Sequence, residues 1–222
     1  MSEDTAVTDR IVDAFLGRLA TTPLGAIELA DVARDADVGL EALRAHFDGK
    51  LAILAAHARR VDLAVLARHD PAMAGEPARD RLFDVLMRRL DALAPHRDAM
   101  RMLARSVTRD PLLAAAIGPI AVRSMTFMLS EAGIPAAGPA GRLRARGLAL
   151  AWVRILDVFV DDHDPGLART MVAVDKALRR GEQAEDLFDR AKRAACRFGG
   201  GFGRGRRRGS ATAEDVSAGA GI

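Results

Sequence analysis

Apolar positions recur at three- and four-residue spacing along most of the chain, the period of helices packed on one face. Ile11, Ala14, Phe15 and Leu19 predict a first helix over residues 9–20, with Thr8 as its N-cap. Thr21-Thr22-Pro23-Leu24-Gly25 ends that repeat. Leu29, Val32, Ala33 and Ala36 make a short second helix over 28–36. Asp37-Val38-Gly39 is then a tight turn, in which an Asp tolerates the left-handed conformation at some cost relative to Gly. A third helix over 40–46 stops at Phe47-Asp48-Gly49. A long fourth helix over 50–68 carries Leu51, Leu54, Ala55, Ala58, Val61 and Val65 on one face.

Residues 69–77 hold Pro71, Gly75 and Pro77 and read as a connection. Beyond it, Leu82, Val85, Leu86, Leu90 and Leu93 stripe a helix over 80–94, which Pro95 ends, and another follows over 96–107. Residues 111–132 are apolar, but Gly118-Pro119 predicts a kink or a division into two helices. A loop over 133–139 leads to the most apolar helix, 141–160, which contains the single Trp152 and is expected at the centre. The loop 161–165 precedes two final helices, 167–180 and 182–198. No run alternates with the period of two that a half-buried strand requires. The expected fold is all-α, with a three-helix module over 1–66, a larger helical domain over 67–198, and a Gly/Arg-rich tail over 199–222 that cannot bury a core and is expected to be disordered.

Composition agrees with this. Half the residues are apolar, yet aromatics make up only 4% and Tyr is absent, so Leu, Ala, Val, Ile and Met must fill the core. The single cysteine, Cys196, allows no internal disulfide and suits a reducing, cytoplasmic setting. Residues 1–8 are polar and acidic, unlike a signal peptide, and no apolar run approaches the ~20 residues of a membrane span. The net charge of +3 conceals a division. Residues 190–222 hold eight basic and two acidic side chains, so residues 1–189 are net acidic. Residues 1–66 hold seven basic and eleven acidic side chains.

No nucleophile–base pair, phosphate-binding loop or metal-ligand spacing is visible, so no enzymatic activity and no cofactor are expected. Asp161, Asp162, His163 and Asp164 are consecutive in one loop and rarely converge on one ion, so they are expected to cap the next helix.

Specific residues carry a family resemblance. They are Arg10-Ile11-Val12-Asp13-Ala14, Leu29-Ala30-Asp31-Val32-Ala33-Arg34-Asp35-Ala36, Val38, Leu43, His46-Phe47 and Lys50. Their spacing, turn and exit resemble the helix-turn-helix of TetR-type transcriptional regulators. Packing of Leu29, Val32, Ala33, Val38 and Leu43 would hold two helices at a steep angle and leave the third free to enter a major groove. The resemblance implies a dimer on a palindromic DNA operator, with Gly39, Leu40, Glu41, Arg44, Ala45, His46 and Lys50 at the DNA and Lys50 on a phosphate. Here Asp37-Val38-Gly39 replaces the family's usual Gly-Val-Ser turn, and Arg44 replaces a Tyr.

The resemblance also implies a small apolar ligand in the second domain. Met100, Leu103, Met125, Phe127, Met128, Trp152 and Phe159 are the candidate lining, with plain core as the alternative for each. A second resemblance rests on the run from Arg88 to Arg97, on Trp152, and on Asp161-Asp162 with Thr170 and Asp175. These pieces are similar to the TetR-derived lipid-binding accessory proteins of ubiquinone biosynthesis, which implies lipid binding without DNA reading. For the amphipathic helix 182–198, contact with an anionic membrane surface and packing on protein both stay open. The tail resembles Arg-Gly segments that bind nucleic acid without sequence preference, with a solubilising role as the alternative.

Overall fold

The structure, a computed structural model, describes residues 3–199. Its α-helices are α1 (Glu3–Leu19), α2 (Leu29–Asp35), α3 (Leu40–His46), α4 (Lys50–Leu66), α5 (Ala78–Leu93), α6 (Arg97–Arg109), α7 (Pro111–Glu131), α8 (Gly138–Val160) and α9 (Ala168–Gly199). Single 3₁₀ turns lie at Leu24–Ala26, Pro71–Gly75 and Ala94–His96, and there is no strand among the described residues. Residues 1–181 form one compact unit, and a second begins at residue 182. The expected tail over 199–222 lies almost wholly outside the described residues.

Three helices differ from expectation. α1 begins at Glu3, so Thr8 lies within it rather than at its cap. No Gly or Pro interrupts the earlier residues, and acidic Asp4 favours a helix start electrostatically. Of the kink or division expected at Gly118-Pro119, the division does not occur: α7 is one helix with Pro119 inside it. Pro111 occupies the first turn, and Asp110 Oδ1 accepts from the backbone N–H groups of Leu112 and Leu113 at 2.9 and 3.1 Å. Pro119 cannot donate to the carbonyl of Ala115, but Ala115 is exposed, so that carbonyl is not buried unpaired. α9 runs through Gly181, so the last two expected helices are one. One interior Gly costs a helix about 1 kcal/mol relative to Ala, too little to break it between Arg180 and Glu182.

α7 also corrects the reading of hydropathy. It is long and apolar enough to cross a membrane by length and composition alone. In this fold it packs on α4, α5, α6 and α8 and buries Ser124, Met125, Met128 and Leu129.

In the N-terminal module, α1 packs on α2 and α4. Ile11, Phe15 and Leu19 meet Val32, Ala33, Leu43 and Ile53 in the interior. Arg18 joins α1 to α2 by binding Asp35 at 2.6 Å and Asp31 at 3.2 Å, and the Arg18 hydrogen bond holds the Asp35 carboxyl below its ordinary range. The α2–α3 turn is a Schellman closure. The N–H of Val38 donates to the Ala33 carbonyl at 3.0 Å and that of Asp37 to the Arg34 carbonyl at 3.1 Å. Asp37 is left-handed with φ 53°, as its place in the turn predicted. Two glycines are required by the geometry of later elements. Gly49 begins α4 at φ 154°, and a Cβ on Gly141 would lie 2.1 Å from the Ala136 carbonyl carbon.

A left-handed Asp is less favourable than Gly. Asp37→Gly is therefore expected to raise stability by about 0.5–1 kcal/mol in chemical denaturation with an unchanged far-UV spectrum. Destabilisation would show that the Asp37 side chain contributes more than its backbone costs.

Candidate functional site

α3 is seven residues long and buries only Leu43. Gly39, Leu40, Glu41, Arg44 and Ala45 all lie at the surface, with Leu40 53% exposed. Thus the face expected at DNA is open. Arg44 Nη1 binds Asp48 at 2.7 Å, but both side chains are well exposed, and an exposed i,i+4 pair contributes only about 0.3–0.5 kcal/mol. Its guanidinium is therefore free to change partner at little cost.

His46 and Lys50 are held differently. The His46 ring places Nδ1 2.7 Å from the Ala42 carbonyl and Nε2 2.8 Å from Asp4 Oδ1. The carbonyl, and then the carboxylate, raise its pKa, so the start of α1 favours a positive charge at the end of α3. Lys50 Nζ donates to the carbonyls of Leu24, Gly25 and Ile27 at 3.0, 3.2 and 3.1 Å. All three ammonium donors are taken up, so Lys50 fastens the Leu24–Ala26 turn to the start of α4 instead of presenting a free charge to a phosphate.

The candidate ligand residues lie in the interior. Met100 on α6, Met125 and Met128 on α7, and Trp152 and Phe159 on α8 are buried, and Leu103 is partly buried. Phe127 corrects its expectation. It is 48% exposed, because two residues of helix rotate it away from Met125 by about 200°.

Sequence reasoning missed the polar groups placed among them. Arg89 of α5 is 4% exposed and donates to Asp62 of α4. Asp62 also accepts from Ser124 Oγ of α7 at 2.9 Å. The guanidinium carbon lies 5.4 Å from the Trp152 ring centre, and Nη1 lies 3.9 Å from the Met128 sulfur. Burial lowers the Arg89 pKa, and Asp62 opposes that shift. The signal available in the sequence was an Arg inside the apolar stripe of 80–94, but helical period alone does not identify its partner.

Nearby, His57 is buried and neither ring nitrogen has a hydrogen-bond partner. Its ring stands edge-on to His96 at 5.3 Å. Burial first, then His96, Arg60 and Arg89, lower its pKa to about 3, with Asp13 opposing.

The Asp161–Asp164 loop caps α9 as expected. Asp164 Oδ2 accepts from the Ala168 N–H at 3.1 Å, and Asp162 Oδ2 accepts from the Thr170 N–H and hydroxyl at 2.9 and 2.7 Å. Among the described residues, no three His, Cys, Asp or Glu side chains are grouped to hold a metal ion. Arg88, one of the residues behind the second resemblance, binds Asp84 and the carbonyls of Val65 and Arg68, a structural role. The expected membrane-surface contact over 182–198 rests mostly on side chains outside the described residues.

The sequence matches no protein-family model and no curated protein. The fold does match solved structures. A TetR transcriptional regulator from Nitrosomonas europaea ATCC 19718 superposes with a TM-score of 0.61 at 21% identity, over 79% of this chain and 98% of that one. One from Rhodococcus sp. RHA1 gives 0.58 at 18%, over 81% and 97%. A TetR-family regulator from Streptomyces coelicolor gives 0.51 at 16%, over 85% and 91%. The all-α fold is thus that of TetR-type regulators.

Two outcomes test the interior. Arg89→Met strands the Asp62 carboxylate and is expected to cost about 3–5 kcal/mol in urea unfolding, while adding Asp62→Leu recovers most of that loss. His57 stays neutral when folded but binds a proton when unfolded below pH ~6.5. Its contribution is therefore complete above pH ~6.5 and is lost as pH falls toward 3. By pH 5 this costs about 2 kcal/mol, and His57→Leu should remove at least half of the pH slope between 6.5 and 5. An unchanged slope would place the pH sensitivity elsewhere.

Proposed function

We propose that the chain is a sequence-specific, DNA-binding transcriptional regulator that acts as a homodimer and responds to a small, largely apolar ligand. One observation carries the reading. α3 exposes Leu40, Glu41, Arg44 and Ala45 while burying Leu43, on the fold that the three regulators share. That is the posture a recognition helix needs to enter a major groove.

The surface of α8 supports the dimer. Leu143, Leu150 and Val153 follow at helical spacing and are 55, 70 and 41% exposed, and α9 adds exposed Met171 and Val172. Apolar side chains exposed on a helix face are best covered by the same surface of a second copy, which gives a two-fold interface. Two α3 helices would then meet half-sites about one DNA turn apart on a palindrome.

The core supports ligand response. An apolar molecule between Met128 and Trp152 would displace them from Arg89, and a hydrogen-bond acceptor on it would find Arg89 Nε, which is buried without a partner. Because Asp62 ties Arg89 to α4, such a molecule would shift the helix that follows α3 and favour one spacing of the two modules.

The acidic balance of residues 1–66 predicts weak non-specific affinity from the module. Arg44 is the exposed cation on α3 and carries the largest single share. Selection of genomic fragments by the full chain near physiological salt is expected to enrich one palindromic site. Arg44→Ala should weaken that site by about 5- to 150-fold, the range for a good base contact. Failure of wild type to enrich any site would sink the proposal.

A further inference from the structure

One concavity among the described residues lies away from Met125, Met128 and Trp152. It is a cleft of about 330 Å³ between the Leu24–Ala26 turn, the start of α4, the end of α6 and the start of α7. That volume is at the lower end of the ~300–1,000 Å³ typical of small-molecule sites. None of the seven residues expected to line a ligand pocket lines it.

Its walls divide by chemistry. Leu24, Leu51, Met102 and Leu113 supply an apolar floor, and Lys50, Arg105 and Arg109 supply cations against one carboxylate, Asp110. Met102, Arg105, Ser106 and Arg109 recur at three- and four-residue spacing, so one face of α6 is turned to the cleft. Lys50 is occupied by three carbonyls, and Asp110 is occupied by the N–H groups that begin α7. Arg105 and Arg109 differ. Both are exposed, they stand one helical turn apart, and neither guanidinium has an ion pair or hydrogen bond among the described residues. Like charges at i,i+4 repel, and an anion between them relieves that repulsion while accepting charge-assisted hydrogen bonds.

We propose that this cleft binds a small amphipathic anion, with a carboxylate or phosphate head between Arg105 and Arg109 and an apolar tail on Leu24, Leu51, Met102 and Leu113. The packing around it suits an adjustable site, since no residue from 101 to 123 is buried. The cleft is also a mechanical junction. Leu24 N–H donates to Ser106 Oγ at 3.4 Å, and Lys50 binds the same turn from α4. An occupant would wedge α6 and α7 against the turn that leads into α2, and so reset the module's angle. That consequence rests on the proposed regulatory function. The binding does not, and it is measured without DNA.

The test is calorimetric titration of the full chain with decanoate below its micelle concentration, beside decan-1-ol and inorganic phosphate. Saturable one-site binding of decanoate is expected, with both controls weaker by about ten-fold or more. Arg105→Gln with Arg109→Gln changes only exposed side chains. It should weaken decanoate at least ten-fold while leaving the melting temperature of the unliganded protein in place. Leu113→Trp, which fills the apolar floor, should abolish binding. No saturable binding overturns the proposal, and so does decanol binding as tightly as decanoate. Decanoate affinity that survives Arg105→Gln with Arg109→Gln places the ligand in another pocket and also overturns it. If wild type ignores decanoate and the double variant instead loses DNA affinity, the two arginines serve DNA phosphates. Decanoate binding as expected, in a protein that selects no DNA site, would keep the cleft and reject only the regulatory reading.

Discussion

A charge pair in the apolar interior sets the terms for the rest of this fold. Arg89 cannot sit between Met128 and Trp152 unless Asp62 faces it, because an isolated buried charge costs more than this core returns. Asp62 in turn needs Ser124 for its second oxygen. These requirements fix α4, α5, α7 and α8 relative to one another with a directionality that Leu and Met contacts lack. Since α4 begins immediately after α3, the same pair that orders the core also holds the exposed helix in place.

Away from that pair, order falls off in one direction. The interior of α1, α4 and α5 is closely filled, whereas the end of α6 and the first half of α7 bury no side chain. The looser pair borders the Leu24–Ala26 turn, where Lys50 acts as a three-point clamp. The closely packed interior and the sparsely buried end of α6 and start of α7 thus meet at this turn.

The electrostatics are equally divided. The module that presents α3 is acidic, its Lys50 is internally satisfied, and its Arg44 is only loosely held by Asp48. Such a surface offers few free cations, and general attraction to phosphate grows with their number. His46 adds a charge controlled from α1 through Asp4, so the start of the chain bears on the end of α3.

The amino-acid sequence by itself determined the helical class, most helix boundaries, the Asp37 turn and the exposed face of α3. Each of these is encoded within a few residues, by a period of three and four, by Pro and Gly, or by a residue tolerant of positive φ. It located Met128 and Trp152 in the interior for the same reason. Only the tertiary structure decided that α7 passes through Pro119, that α9 passes through Gly181, and that Phe127 faces outward while Met125 faces in. It alone paired Arg89 with Asp62, left His57 buried without a partner, turned Lys50 onto three carbonyls, and gathered Arg105 and Arg109 at a cleft far along the chain from Leu24. The reason is physical. Periodicity reports which face of a helix is buried, but the partner of a charge on that face is set by how distant helices pack, and no local pattern carries that distance.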